Sequence, residues 1–83
     1  QAVSWFYQAA EKGIVEAQYN LGLAYKMGLG IAKDEAEAVV WFEKAAKQGH
    51  IQAQFNLGLA YELGQGVTKD TKKALDWFQK AAL

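Results

Sequence analysis

The sequence repeats itself with a period of 36 residues. Trp5, Trp41 and Trp77 stand at that interval, and each is followed at once by a phenylalanine and four residues later by an alanine pair. When residues 1–47 are aligned with residues 37–83, 25 positions are identical. Such self-similarity is typical of arrays in which each repeat buries its apolar face only against its neighbours. We therefore predict a repeat array.

The composition restricts the fold and the partners. The chain has 83 residues, with neither cysteine nor proline, and nine basic residues balance nine acidic ones. The absence of cysteine excludes disulfides and thiol chemistry, and the balanced charge argues against nucleic acid or an anionic membrane as the main partner. No apolar run approaches the roughly 18 residues that a membrane-spanning helix needs, so we expect no membrane insertion. The abundance of alanine predicts an all-α protein.

The first residues carry no targeting signal. They lack the basic start and the long apolar centre of a signal peptide. There is no initiator methionine, so we expect a piece of a longer protein. The localisation stays open, because a chain without cysteine suits the cytoplasm and the periplasm alike.

Each repeat contains an outer and an inner helical pattern. The outer pattern runs from Asp34 to Gln48 and places apolar residues at helical spacing. Asp34 is positioned as the N-cap, Glu37 would complete a capping box, and Gly49 would end the helix in a left-handed conformation. Two ion pairs are predicted on the solvent side of the outer helices: Glu43 with Lys47, and Asp76 with Lys80.

The inner pattern runs from about Val15 to Met27 and from about Ile51 to Leu63. Gly22 and Gly58 lie inside these segments, where glycine costs roughly 1 kcal/mol relative to alanine. Because that cost recurs in both copies, we predict close contact between helices at these glycines. Four alanines fit the same explanation: Ala17, Ala24, Ala53 and Ala60.

The stretches GLGIAKD, residues 28–34, and GQGVTKD, residues 64–70, resemble phosphate-binding loops only superficially. A phosphate loop follows a strand and precedes a helix. Here each Gly-x-Gly follows a helical pattern and recurs with the repeat. We predict that these glycines are turn residues that end the inner helices.

The recurring pattern A-x-x-x-L-G-x-x-Y-x-x-G-x-G-(V/I)-x-K-D-x-x-x-A-x-x-W-F-x-K-A-A resembles the Sel-1-like repeats, relatives of the tetratricopeptide repeats. In the second full repeat the pattern falls on Ala53, Leu57, Gly58, Tyr61, Gly64, Gly66, Val67, Asp70, Lys73, Ala74, Trp77, Phe78, Lys80 and Ala81. In the first full repeat, Ile31 stands where the family resembled usually has valine, and Glu37 stands where it usually has lysine. Some secreted members carry a disulfide in each repeat, and this chain does not resemble that branch.

The resemblance implies a right-handed α-α superhelix of antiparallel helix pairs, with about five helices and the inner helices on the concave side. It also implies a role as an adaptor that assembles protein complexes. The register assigns residues 1–13 to the outer helix of an incomplete repeat, 14–49 to a full repeat, and 50–83 to a full repeat that lacks its last residues.

The Trp-Phe pairs are predicted to form the core, with incomplete burial at the two ends. Uncapped ends of a repeat array expose apolar surface, so a homo-oligomer through exposed end helices is one expectation. The residues expected to show incomplete burial are Trp5, Phe6, Tyr7, Trp77, Phe78 and Leu83.

Asn20 and Asn56 occupy equivalent positions on the inner helices, although asparagine is a mediocre helix former. One interpretation is a ladder of amides that hydrogen-bond a peptide backbone, and the other is a structural hydrogen bond between repeats. Leucine and methionine beside them would supply apolar pockets, and contact with the next repeat explains these side chains equally well. The candidate partner-binding residues are Glu16, Asn20, Leu23, Met27, Gln52, Asn56, Leu59 and Leu63.

No set of acid, base, nucleophile or metal ligands is apparent. His50 is the only histidine, and a metal site needs further ligands, so we expect neither a cofactor nor an enzyme. The sequence indicates a non-enzymatic interaction module that presents a concave groove to a peptide or partner protein. The alternative is a structural spacer within a longer solenoid, self-associating through its uncapped ends.

Overall fold

Five α-helices follow one another in the computed structural model, which describes residues 2–82, with side chains from residue 4 onward, and contains no strand in that range. The helices are α1 (Ala2–Glu11), α2 (Val15–Met27), α3 (Glu35–Lys47), α4 (Ile51–Leu63) and α5 (Thr71–Ala82). Helices α2 and α4 are the inner helices, and α1, α3 and α5 are the outer ones. The predicted all-α solenoid is confirmed.

Glycine ends both inner helices, as the repeat predicts. Gly28 and Gly64 have φ angles of 71° and 69°, in the left-handed region that glycine occupies without a steric cost. The N–H of each donates back to the carbonyl of an alanine four residues earlier, Ala24 or Ala60. The Gly-x-Gly stretches are therefore turns between helices.

An aspartate caps the N-terminus of each of the outer helices α3 and α5. At Asp34 only half of the predicted capping box forms. The carboxylate of Asp34 accepts a hydrogen bond from the N–H of Glu37 at 3.2 Å. The N–H of Asp34 donates to the carbonyl of Tyr25 at 2.8 Å, so the predicted return bond from Glu37 is wrong. The N–H of Asp34 is therefore bonded to the inner helix instead. The N–H of Asp70 likewise donates to the carbonyl of Tyr61 at 2.9 Å.

Of the two predicted ion pairs on the outer helices, one forms. Glu43 and Lys47 lie 3.5 Å apart. The second prediction, Asp76 with Lys80, is wrong: the ammonium group of Lys80 lies 4.5 Å from the ring centroid of Trp77 instead. The tryptophan ring attracts this cation because its face carries negative partial charge.

The core lies between the inner and outer layers. Helix α2 packs against α1 and α3, and α4 packs against α3 and α5. Leu21 and Leu57, at equivalent positions of the inner helices, are fully buried. The predicted small residues Ala17, Ala24, Ala53 and Ala60 are all buried as well.

Gly22 and Gly58 are sites of close approach, which confirms the prediction from their recurrence. A Cβ atom built on Gly22 would lie 2.7 Å from the ring of Phe42, and one built on Gly58 would lie 2.6 Å from the ring of Phe78. Real Cβ atoms do not approach other atoms so closely. One side of the outer-helix phenylalanine ring therefore occupies the space where a side chain at the glycine would begin, in both repeats.

Gly22 and Gly58 differ in how freely the phenylalanine ring opposite them can move. Phe42, opposite Gly22, is buried, and Phe78, opposite Gly58, is half-buried. We expect Gly22→Ala to lower the free energy of unfolding by about 1–2 kcal/mol, because overpacking in a rigid core exceeds the gain in helix propensity. Gly58→Ala should change it by less than about 0.5 kcal/mol, because Phe78 can shift. Urea unfolding followed by circular dichroism measures both, and equal costs would contradict the explanation.

Burial of the Trp-Phe pairs depends on the position of the repeat. Trp41 and Phe42 are buried, as predicted for core residues, whereas Trp5 is 74% exposed. The prediction that all three pairs form the core is therefore correct only for the middle pair. Incomplete burial is confirmed for Trp5, Phe6, Tyr7, Trp77 and Phe78, while Leu83 lies outside the described residues.

Candidate partner-binding surface

Six of the predicted partner-binding side chains recur at equivalent positions of the two inner helices, and one of them, Leu23, also packs against the core cluster of the following repeat. We call these six the inner row, which consists of Glu16, Leu23 and Met27 on α2 and of Gln52, Leu59 and Leu63 on α4. Met27 and Leu63 are each 59% exposed, and the two leucines at 23 and 59 are half-buried. Residues spaced by seven and four positions share one face of a helix, so the row forms one continuous strip on each helix.

Asn56 lies beside the inner row and joins the two repeats. Its Nδ2 donates to the hydroxyl of Tyr19 at 3.4 Å and to the carbonyl of Gln52 at 3.0 Å. Its Oδ1 accepts from Nζ of Lys26 at 3.4 Å. The contacts with Tyr19 and Lys26 link α4 to α2, and they are the structural hydrogen bonds between repeats that the sequence left open as the second interpretation, whereas the bond to Gln52 lies within α4.

Asn20, the counterpart of Asn56, is half-buried. In the described part of the chain its side chain forms no hydrogen bond, because no inner helix lies on that side of α2. The two asparagines therefore differ in the hydrogen-bonding capacity that they offer to a partner. The amide of Asn20 retains its donors and its acceptor, whereas Asn56 already uses both.

His50 holds the junction between the repeats, a role that the sequence does not reveal. Its Nδ1 accepts from the N–H of Ala53 at 3.1 Å and caps α4. Its ring stacks on Tyr19 with centroids 4.4 Å apart, and its Nε2 lies 3.5 Å from a carboxylate oxygen of Glu16. Since Nδ1 accepts, the neutral ring carries its proton on Nε2, facing Glu16. The isoleucine at position 14 has no such side chain, so the repeat gives no signal for this contact.

An open cleft of about 710 Å³ lies beside α4 and α5. Three of the eight predicted residues contribute to it, namely Gln52, Asn56 and Leu59, and the other five lie outside it. Its remaining lining is Tyr19, Ile51, Phe55, Glu62, Phe78, Ala81 and Ala82. An aromatic residue at the equivalent positions 19 and 55 is the signal that could have identified part of this lining.

Two further kinds of site have no candidate among the described residues. No group of three or more histidine, cysteine, aspartate or glutamate side chains in that range is arranged to hold a metal ion. None of the described helices combines the length and the apolar character needed to cross a bilayer. The inner row, the flanking asparagines and the cleft are the candidate features for partner binding.

The sequence matches the family profile described as Sel1 repeat three times, over residues 1–14, 15–50 and 51–83. Compared by sequence with curated proteins, the chain has no significant match. The three profile matches together span the whole chain.

Solved structures of similar proteins share the fold closely. A Sel1 repeat protein from Oxalobacter formigenes is 48% identical with a TM-score of 0.94, and 96% of this chain covers 61% of it. A protective antigen from uropathogenic Escherichia coli strains with an SLR fold is 48% identical with a TM-score of 0.95, and 96% of this chain covers 17% of it. Cysteine-rich protein B from Helicobacter pylori is 28% identical with a TM-score of 0.92, and 96% of this chain covers 60% of it. The chain thus spans less than two thirds of each of these proteins.

Proposed function

The chain belongs to the Sel1 repeat family, and on that premise we propose that it is a non-enzymatic adaptor or scaffold whose inner row binds a peptide or a segment of a partner protein. Proteins built from these repeats are generally protein-interaction modules.

The observation that carries this proposal is the exposed apolar pair on the inner row. Met27 and Leu63 occupy equivalent positions of α2 and α4, and each is 59% exposed. Half-buried leucines at 23 and 59 lie beside them. A partner that covers all four gains apolar burial at about 25 cal/mol per Å². Flexible methionine and leucine side chains adapt to a partner's shape.

The polar residues of the surface would set orientation and specificity. Asn20 retains an amide that can both donate to and accept from a peptide backbone. Glu16 and Gln52 are exposed at equivalent positions, and they differ in charge, so the two repeats would prefer different partner residues. Asn56 contributes by holding α4 against α2 and thereby keeping the two halves of the row in register.

A display selection of random peptides against the chain tests this proposal. We expect hits that lose about tenfold or more in affinity on the double variant Met27→Glu, Leu63→Glu, because each substitution replaces an apolar contact with a charge that the partner would have to desolvate. Both side chains are exposed, so the variant should fold, and circular dichroism checks this. Isothermal titration of each hit against parent and variant gives the affinity ratio.

The matched control is Val40→Glu, which places the same charge on an exposed position of the outer helix α3. Hits should bind this variant as they bind the parent. A second variant, Asn20→Ala, should weaken binding of those peptides whose backbone hydrogen-bonds the side-chain amide of Asn20. Hits that are indifferent to the inner-row variant, or equally sensitive to the control, would refute the proposed surface.

The second candidate function is a structural spacer within a longer solenoid. The hydrogen bonds of Asn56 to Tyr19 and Lys26 favour it, because they give one of the two recurring asparagines a role inside the array. Self-association through the ends belongs to this alternative, and exposed Trp5 favours it. A selection without hits, together with a concentration-dependent mass in analytical ultracentrifugation, would support this function over peptide binding.

A further inference from the structure

The junction between the two full repeats contains the single histidine of the chain. His50 is the N-cap residue of α4, and its side chain is 9% exposed. Imidazole is the side chain that ordinarily changes its charge between pH 5 and 8. An imidazole that is nearly buried and holds a helix end therefore couples the stability of that helix to mild acid.

Each ring nitrogen of His50 has a defined partner. Nδ1 accepts from the N–H of Ala53 at 3.1 Å, which requires that Nδ1 carries no proton. Nε2 lies 3.5 Å from a carboxylate oxygen of Glu16. Protonation of the ring places a hydrogen on Nδ1, so that two donors then face each other. The side-chain cap of α4 is lost in that form.

The position of the ring at the start of α4 also favours the neutral form. The free N–H groups of a helix N-terminus give it a partial positive charge, which repels a cation. No acidic residue in the first turn of α4 offsets that charge. Burial removes the water that would solvate an imidazolium. Loss of the cap, the charge of the helix end and burial therefore act in the same direction.

Helix α2 supplies the groups that favour the cation. Within the described part of the chain, Glu16 is the one carboxylate within 4 Å of the ring, and its side chain is 74% exposed, so water weakens the pair. The ring of Tyr19, stacked at a centroid distance of 4.4 Å, attracts a cation through its face. Three lysines in the last turns of α3 and α5 contact partners on their own helices, namely Lys44, Lys47 and Lys80.

The same histidine connects the two inner helices. Tyr19 on α2 stacks on His50 and accepts through its hydroxyl from Asn56 on α4. A frayed start of α4 would therefore loosen the contact between α2 and α4. The equivalent position at the start of α2 is Ile14, which provides no side-chain cap, so only the second full repeat has this contact.

We propose that His50 makes the junction between the two full repeats acid-sensitive, because its protonation removes the side-chain cap of α4 and weakens the packing of α4 on α2. The stabilisation is present while the imidazole is neutral. It is lost as the pH falls through the range in which imidazole gains a proton. This inference goes beyond the proposed function, because it concerns the stability of the array and requires no partner.

Urea unfolding of the chain at pH 7.5 and at pH 5.5, followed by circular dichroism, tests the proposal. Carboxylates ordinarily gain a proton only near pH 4, and the chain has one histidine and no cysteine. His50 is therefore the side chain expected to titrate in this range. We expect the equilibrium constant for unfolding to increase about threefold from pH 7.5 to pH 5.5, within the range for loss of an N-cap.

Three variants assign this response to the cap. His50→Asn keeps an N-cap acceptor that does not titrate, so its unfolding constant should change by less than about 1.5-fold between the two pH values. Glu16→Gln should enlarge the response to about fivefold, because the exposed pair no longer favours the cation. Glu43→Gln is the matched control: it removes the exposed pair with Lys47 on α3 and should leave the response at about threefold.

The nitrogen chemical shifts of the imidazole provide a measurement that needs no variant. Nuclear magnetic resonance at pH 7.5 should show the neutral ring with its proton on Nε2, and the amide signal of Ala53 should shift as the ring titrates.

Three results would overturn the proposal. The first is an unfolding constant that stays the same or decreases in acid, and the second is a response of His50→Asn equal to that of the parent chain. The third is a neutral ring with its proton on Nδ1. If His50→Asn does not fold, the response of Glu16→Gln and the position of the proton still decide. A peptide selection without hits would leave all of these measurements unchanged, since none contains a ligand.

Discussion

Replacing Trp41 with alanine is expected to lower the free energy of unfolding by about 3–5 kcal/mol, whereas the same change at Trp5 should cost less than about 0.5 kcal/mol. Trp41 is 4% exposed and Trp5 is 74% exposed. The ring of Trp41 meets the ring of Tyr7 edge to face at a centroid distance of 6.0 Å, and the ammonium group of Lys44 lies 4.4 Å from its centroid. All of these contacts are lost with the side chain.

Trp5 is an internal control because it has the same residue type, the same position in the repeat and the same following phenylalanine. Urea unfolding should be followed by far-ultraviolet circular dichroism, since removing a tryptophan alters the fluorescence signal itself. A similar loss at both positions would show that tryptophan stabilises the outer helices locally. It would contradict the explanation from packing between repeats.

Leu57→Ala is expected to lower the free energy of unfolding by about 3–4 kcal/mol, because it removes a fully buried side chain and leaves a cavity. Leu57 lies in the core cluster with buried residues of α3, including Ala38 and Phe42. In a domain of this size the loss corresponds to a decrease in melting temperature of roughly 12–30 °C. Thermal unfolding by circular dichroism measures it.

The control for Leu57→Ala is Leu63→Ala on the same helix. Leu63 is 59% exposed, so its truncation leaves no cavity and should lower the free energy of unfolding by less than about 1 kcal/mol. The pair compares the same substitution at a buried and at an exposed position of one helix. If the two variants melted at the same temperature, the placement of Leu57 in the core would be wrong.

Much of the fold follows from local signals. Both inner helices run over the predicted ranges, from Val15 to Met27 and from Ile51 to Leu63, because apolar periodicity and a glycine with positive φ mark their ends. The glycines at 22 and 58 predict close contact because an unfavourable residue recurs in both copies. The return bond of the capping box could not be predicted, because the competing acceptor, the carbonyl of Tyr25, belongs to another helix.

Part of the candidate site could likewise be predicted from the sequence, and part could not. The 36-residue period places Met27 and Leu63 at equivalent positions near the two asparagines, and both are 59% exposed. The different surroundings of Asn20 and Asn56 could not be predicted, because the partners of Asn56 come from the neighbouring inner helix. The cleft depends on how α4 and α5 are placed, and no single helix encodes that placement.

The sequence alone thus determines the period, the helix type and the residues of each repeat that can face a neighbour, because hydrogen bonding within helices, glycine conformation and side-chain periodicity are local properties. Only the tertiary structure decides which copy of a repeated residue is covered. Trp5, Trp41 and Trp77 have nearly the same local sequence, yet the first is exposed, the second is buried and the third is half-buried. In an array each repeat contacts only its neighbours, so burial depends on which repeats lie on either side.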